Sequence, residues 1–87
     1  MGLKYPDFRV LLIVMKTGGR LEKHRTEGRM SIQTLHGRIR FSTSERSMEL
    51  AVGQMLTLEH DISHDVEGIV DSAFLLTIAW RDASSPR

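Results

Sequence analysis

His24 and His64 lie forty positions apart, each tied to a short, strand-like segment that a glycine opens. Imidazole is the commonest metal-binding side chain, and two rings carried to one point inside a β-barrel make half of a metal site. Without a metal, two neutral rings in an apolar cavity can bind a small anion or act as acid and base. The other two histidines read differently. His36 stands beside Gly37 at a turn and is expected in solvent. His60 lies in a loop four positions before His64 and can fold inward as an outside candidate for a ligand. Ser63-His64-Asp65 is not a hydrolase relay, because consecutive residues of an extended chain alternate faces.

The segments that must carry these rings have a hydrophobic period close to two, not 3.6. Phe8, Val10, Leu12 and Val14 share one parity, and Leu11, Ile13 and Met15 fill the other. A strand apolar on both faces is covered on both sides. The expectation is a core on one side and a partner subunit or an N-terminal strand on the other. Lys16-Thr17-Gly18-Gly19 breaks that strand. Arg20 to His24 follows, then a polar loop, then Met30 to Leu35 and Arg38 to Phe41 around His36-Gly37, which reads as a hairpin. Met30, Ile32, Thr34, Ile39 and Phe41 fall on the inner face of these two strands, with Arg38 and Arg40 turned outward as a solvated stripe. Ser42 to Ser47 reads as a polar turn. Short strands follow over Met48 to Leu50, Gln54 to Leu58 and His64 to Ile69, and Glu45 to Ala51 offers at most one turn of helix. The last strong strand is Ala73 to Trp80, where Phe74 and Trp80 share a face that floors the barrel or meets a second copy. Met15, Met30, Met48 and Met55 read as core filler. About eight short strands between turns indicate an all-β barrel or sandwich.

Eighty-seven residues make one domain at most. So small a domain is marginal alone, which favours association with a copy of itself. A net charge of +1 gives no basic footprint for nucleic acid or a membrane surface. The chain has no cysteine, which removes disulfides, thiolate nucleophiles and sulfur-rich zinc sites and is compatible with a cytoplasmic location. The apolar run Val10 to Met15 is too short to span a bilayer, and its flanks do not resemble a signal peptide.

The glycines and histidines fall at the spacing of two motifs. Gly18, His24, Thr26, Met30 and Gly37 stand where the first motif has Gly, His, His, Glu and Gly. Gly53, Glu59, Asp61, His64 and Gly68 stand where the second has Gly, Pro, Gly, His and Asn. Over Phe8 to Trp80 the chain resembles the cupin superfamily, and within it the small single-domain, RmlC-like cupins. The resemblance implies an all-β double-stranded β-helix, a jelly-roll cupin barrel, over residues 1–81, with a flexible tail over 82–87. Family members carry more chain before the first long strand, so this copy is either naturally short or without N-terminal edge strands.

Metal-dependent cupins hold their ion with three histidines and a glutamate. Here Thr26 and Met30 replace one histidine and the glutamate. A hydroxyl is a poor ligand for a divalent first-row metal, and a thioether suits Cu(I) rather than Fe, Mn, Ni or Zn. The expected function is a small-molecule binding or sensing module with a degenerate metal site. Its pocket is expected from His24, Thr26, Met30, Ile32, Thr34, Phe41, Met55 and His64, and its partner in solution is a second copy. The alternative is a metal-dependent oxygenase or isomerase that holds Fe, Mn, Ni or Zn with His24, His64 and waters. A filled, inert barrel is the third reading.

Overall fold

The computed structural model describes residues 2–5, 8–24, 28–59 and 62–79, and leaves the side chains of residues 3–5, 8, 23 and 24 outside the description. Nine strands follow in order: β1 (Gly2–Tyr5), β2 (Phe8–Met15), β3 (Arg20–His24), β4 (Arg29–His36), β5 (Arg38–Thr43), β6 (Ser47–Ala51), β7 (Met55–Leu58), β8 (His64–Gly68) and β9 (Ser72–Ala79). They form two antiparallel sheets, one ordered β1-β2-β9-β4-β7 and the other β3-β8-β5-β6. The architecture is an all-β jelly roll, as the alternation predicts.

Each sheet buries one face against the other. Met30, Ile32 and Thr34 of β4 alternate with half-buried neighbours, and so do Phe74, Leu76 and Ile78 of β9. Ile39 and Phe41, Leu50 and Val66 meet them from the second sheet in one continuous core. Phe74 is wholly buried there, so its place is the core and not a contact with another copy; Trp80 lies outside the described residues. Burying an aliphatic or aromatic side chain of this kind contributes about 1.5–3 kcal/mol. The hydroxyl of Thr34 reaches between the sheets and donates to the Leu50 carbonyl at 3.1 Å, so the one polar group at this depth on β4 is satisfied.

Three local readings change. β4 and β5 are not a hairpin: β4 pairs with β7 and β9, and β5 with β6 and β8. Only Gly37 separates them, and a single residue cannot fold two strands back on one another. The chain instead turns a corner from one sheet into the other. A register shift between Thr34 and His36 and the positive φ of Gly37 (76°) make that corner. The Glu45 to Ala51 stretch contains β6, not a helical turn. The N-terminal strand does not lie over β2 but pairs with its edge, Leu3 opposite Val10. Leu12 and Val14 on the outer face of β2 are therefore exposed.

Turns are fixed by specific bonds. Asp71 accepts from both the backbone N–H and the hydroxyl of Thr17, at 2.8 and 3.0 Å. These two donors hold its carboxyl below the usual carboxylate range. The hydroxyl of buried Ser72 accepts from the Arg38 N–H at 3.1 Å and lies 2.7 Å from the Val70 carbonyl and 3.0 Å from that of Arg38.

Candidate functional site: a polar cleft over a buried histidine

β3 and β8 pair antiparallel, and the register sets His24 directly opposite His64. One extra residue on β3 between Leu21 and His24 makes this possible, because Leu21 already faces Val66 two places along β8. Directly opposed residues of an antiparallel pair have Cβ atoms about 4.5–5.5 Å apart. The backbone thus brings the two remote histidines to one point of the ladder. The side chain of His24 lies outside the described residues, as do Thr26 and His60.

His64 is almost wholly buried. Its ring stacks on Phe41 with centroids 5.3 Å apart and planes at 16°. Phe41 faces Val66, and Thr43 faces His64, so the stack runs diagonally across the β5–β8 ladder. Nδ1 lies 3.0 Å from the Ile62 carbonyl. A carbonyl only accepts, so Nδ1 is the donor in this contact. An imidazole held by this bond and by the stack has its orientation set by the protein.

Beside this ring the surface opens into a cleft of about 270 Å³ lined by Ser42, Thr43, Ser44, Ser63, His64 and Asp65. The rim thus carries four hydroxyl side chains and one carboxylate, drawn from both faces of the β5–β8 ladder, around the buried histidine. Thr43 spends its hydroxyl on the turn, accepting from the N–H groups of Glu45 and Arg46 at 3.3 Å. The Ser42 hydroxyl lies 3.0 Å from that of Ser47. Asp65 pairs with Arg20 at 2.6 Å, and that carboxylate raises the already high pKa of the guanidinium. Asp65 points away from the face that holds His64, which disposes of any Ser-His-Asp relay. The signal for this cleft in the sequence is the unbroken hydroxyl run Ser42-Thr43-Ser44, which reads on its own as a turn. A larger groove of about 350 Å³ crosses the outside of the five-stranded sheet between Arg29 and Glu59. Among the described residues its charged groups are that exposed ion pair, so it carries less chemistry than the smaller cleft.

The other expected pocket residues divide. Met30, Ile32 and Phe41 are buried but packed on one another's neighbours in the continuous core. Thr34 is buried and bonded to Leu50. Met55 is 58% exposed and lines nothing inside. Its register partner is Gln33, on the outward parity of β4, whereas Leu56 faces buried Ile32. Met55 is therefore neither pocket nor core. His36 is exposed, as expected.

His24 beyond its backbone, Thr26 and His60, which bear on any metal site, lie outside the described residues. Among the described residues no three His, Cys, Asp or Glu side chains cluster. Met30, at the place of the family's glutamate, lies in the apolar core with its thioether among Ile32 and Ile78 neighbours rather than at the cleft. Two imidazoles would leave at least half of a tetrahedral shell to water.

Comparison with solved structures settles the fold. The chain superimposes on a cupin superfamily protein from Desulfitobacterium hafniense with a TM-score of 0.89 at 15% identity, covering 93% of this chain and 75% of that one. An RmlC-like cupin protein from Desulfovibrio desulfuricans gives a TM-score of 0.80 at 25% identity, over 88% and 76% of the two chains. The chain has the fold of a small cupin. A conserved protein of unknown function from Streptococcus pyogenes is equally similar, with a TM-score of 0.87 at 17% identity over 93% of this chain and 71% of that protein. No family model and no curated protein matches the sequence. No helix among the described residues is long and apolar enough to cross a membrane.

Proposed function

We propose that this cupin domain is a binding or sensing module for a small polar molecule, held without a catalytic metal in the cleft above His64. The observation that carries the reading is a buried imidazole of fixed orientation beside a hydroxyl-rich cleft. Small-molecule sites pair an apolar wall with a few convergent polar groups, and Phe41 behind His64 supplies the apolar part. Hydroxyls that both donate and accept suit a carboxylate, a phosphate or a polyol. A cytoplasmic location belongs to the same proposal, and the cysteine-free sequence is compatible with it.

The test is a backbone NMR titration with citrate, inorganic phosphate and glucose in turn. One of these probes is expected to shift the amides of Ser42 to Ser44 and Ser63 to Asp65, and to lose that effect in His64→Gln. Shifts scattered over the surface, or the same response in His64→Gln, would remove the proposal. The register pairing of His24 with His64 supports a second reading, a metal-dependent enzyme of the oxygenase or isomerase type. Stoichiometric Fe, Mn, Ni or Zn in tag-free protein, lost in both His24→Ala and His64→Ala, would establish that reading in place of the first.

A further inference from the structure

The end of the sandwich that holds His64 also carries a guanidinium on its inner wall. The registers place it. Across β2, β9, β4 and β7 the last described inner row toward this end is Arg9, Ile78, Met30 and Leu58. Ile78 and Met30 are buried, so Arg9, opposite Ile78, has the inward parity of Leu11, Ile13 and Met15, which pack on the core. Arg9 is itself half-buried, and its Nε atom is fully enclosed. On the facing sheet the last inner row toward the same end is His24, His64 and Thr43. The two rows share one end because the chain crosses between the sheets at the other. There Gly37 joins β4 to β5, and the Gly18 N–H donates to the Gly68 carbonyl, tying the turn between β2 and β3 to the end of β8. Arg9 and His64 lie at the far ends of β2 and β8 from that crossing.

Packing does not explain an arginine in this place. Arg is seldom buried unless paired, and an apolar side chain would continue the run of Leu11, Ile13 and Met15. Inward charges do serve on the outermost strand of a sheet, where they discourage pairing with other chains. β2 is not outermost, because β1 covers its edge, with Lys4 as the residue opposite Arg9. The carboxylates of the neighbouring strands are engaged elsewhere. Glu49, Asp65 and Glu67 bond Arg20, Arg38 and Arg40 on the outside of the four-stranded sheet, and Glu59 bonds Arg29 outside the other. Arg9 makes a contact within the chain as well. A guanidinium has five N–H donors, so it can keep such a contact and still present a fork to a ligand. That planar fork matches two oxygens of a carboxylate or a phosphate.

Resting on the reading that the cleft above His64 binds a small polar molecule, we infer that this molecule is an oxyanion, with Arg9 as its ionic contact across the opening from His64. The hydroxyls of the rim then serve its remaining oxygens.

The test is calorimetric titration of the full chain with inorganic phosphate, citrate and glucose, with the amides of Ser42 to Ser44 and Ser63 to Asp65 followed by NMR. It compares the native chain with Arg9→Gln, Arg9→Lys and Arg29→Gln. Arg29 is the control, an exposed guanidinium at the same end but on the outer face. Phosphate or citrate is expected to bind the native chain and Arg29→Gln alike and to shift the cleft amides in both. Arg9→Gln is expected to weaken that binding at least about tenfold, and Arg9→Lys, which keeps the charge and loses the fork, to fall between. Far-UV circular dichroism checks the fold, and if Arg9→Gln does not fold, the loss in Arg9→Lys decides. An anion held equally by the native chain and the Arg9 variants overturns the inference. So does an equal loss in Arg29→Gln, which would mark a diffuse effect of charge. Glucose bound at the cleft amides in preference to both anions overturns it and leaves the binding-module reading standing. Silence of those amides toward all three probes removes both.

Discussion

Gly37 offers the sharpest test of the corner that joins the two sheets. Its φ is 76°, a region where a side chain costs about 1–2 kcal/mol. A Cβ there would also stand 2.3 Å from the Asp71 carbonyl oxygen, 2.5 Å from the Ser72 hydroxyl and 3.0 Å from the Ser72 Cα. Two of these are backbone atoms at the start of β9, and they cannot step aside without moving the strand. The displaced hydroxyl is the one bonded to the Arg38 N–H and close to the Val70 carbonyl, and each lost bond costs about 1 kcal/mol. Gly37→Ala is therefore expected to cost about 3–5 kcal/mol, a large share of the stability of a small domain. Gly53 is the control. Its φ is 86°, but nothing lies within 4 Å of the Cβ that would be added. Gly53→Ala should cost only the conformational share, about 1–2 kcal/mol. Urea denaturation of the two variants measures the difference. At about 4–8 °C per kcal/mol for a domain of this size, thermal melting should separate them by roughly 10 °C or more. Equal losses in the two variants would refute the close-contact argument and leave only backbone strain.

Two further expectations rest on burial and on titration. Ile32→Ala should cost about 2–5 kcal/mol and Met55→Ala less than about 1 kcal/mol at concentrations where the chain is monomeric, both read from urea midpoints. A reversed order would mean that β4 and β7 are paired one residue out of register. Asp71 has a depressed pKa in the folded state, so its contribution is present above the unfolded carboxylate pKa of about 3.9 and is lost as pH falls through the folded value. Asp71→Asn should therefore lower the melting temperature at pH 7, with the gap to the native chain closing below about pH 4. A gap that stays constant with pH would assign the effect to something other than the charge.

The fold was legible because period-two alternation is a local signal. Met30, Ile32 and Thr34, then Ile39 and Phe41, declare their buried face without reference to the rest of the chain. Partner choice is not local. The residues around Gly37 look like a hairpin because a glycine between two alternating runs serves a tight turn and a corner between sheets equally well. Met55 was misplaced for a related reason. β7 has apolar side chains on both parities, and only its pairing with Gln33 and Ile32 selects Leu56 and Leu58 as the inner set. The histidine pair was legible as spacing, but the extra residue on β3 that brings His24 level with His64 leaves no mark in composition. The cleft was not legible at all. Ser42-Thr43-Ser44 and Ser63 belong to segments remote in sequence, and hydroxyls in a turn look alike whether they face water or a histidine.

The two outer faces of the sandwich meet their surroundings differently. Apolar side chains gather outside one sheet, whereas the outside of the other is studded with paired charges. Growth into stacks or fibres would need a second sticky side or a long bare edge. The outermost strands of the apolar sheet are only four residues long, and those of the other sheet carry Arg20 and Glu49. Among the described residues, neither sheet therefore offers a long bare edge to which further strands could add.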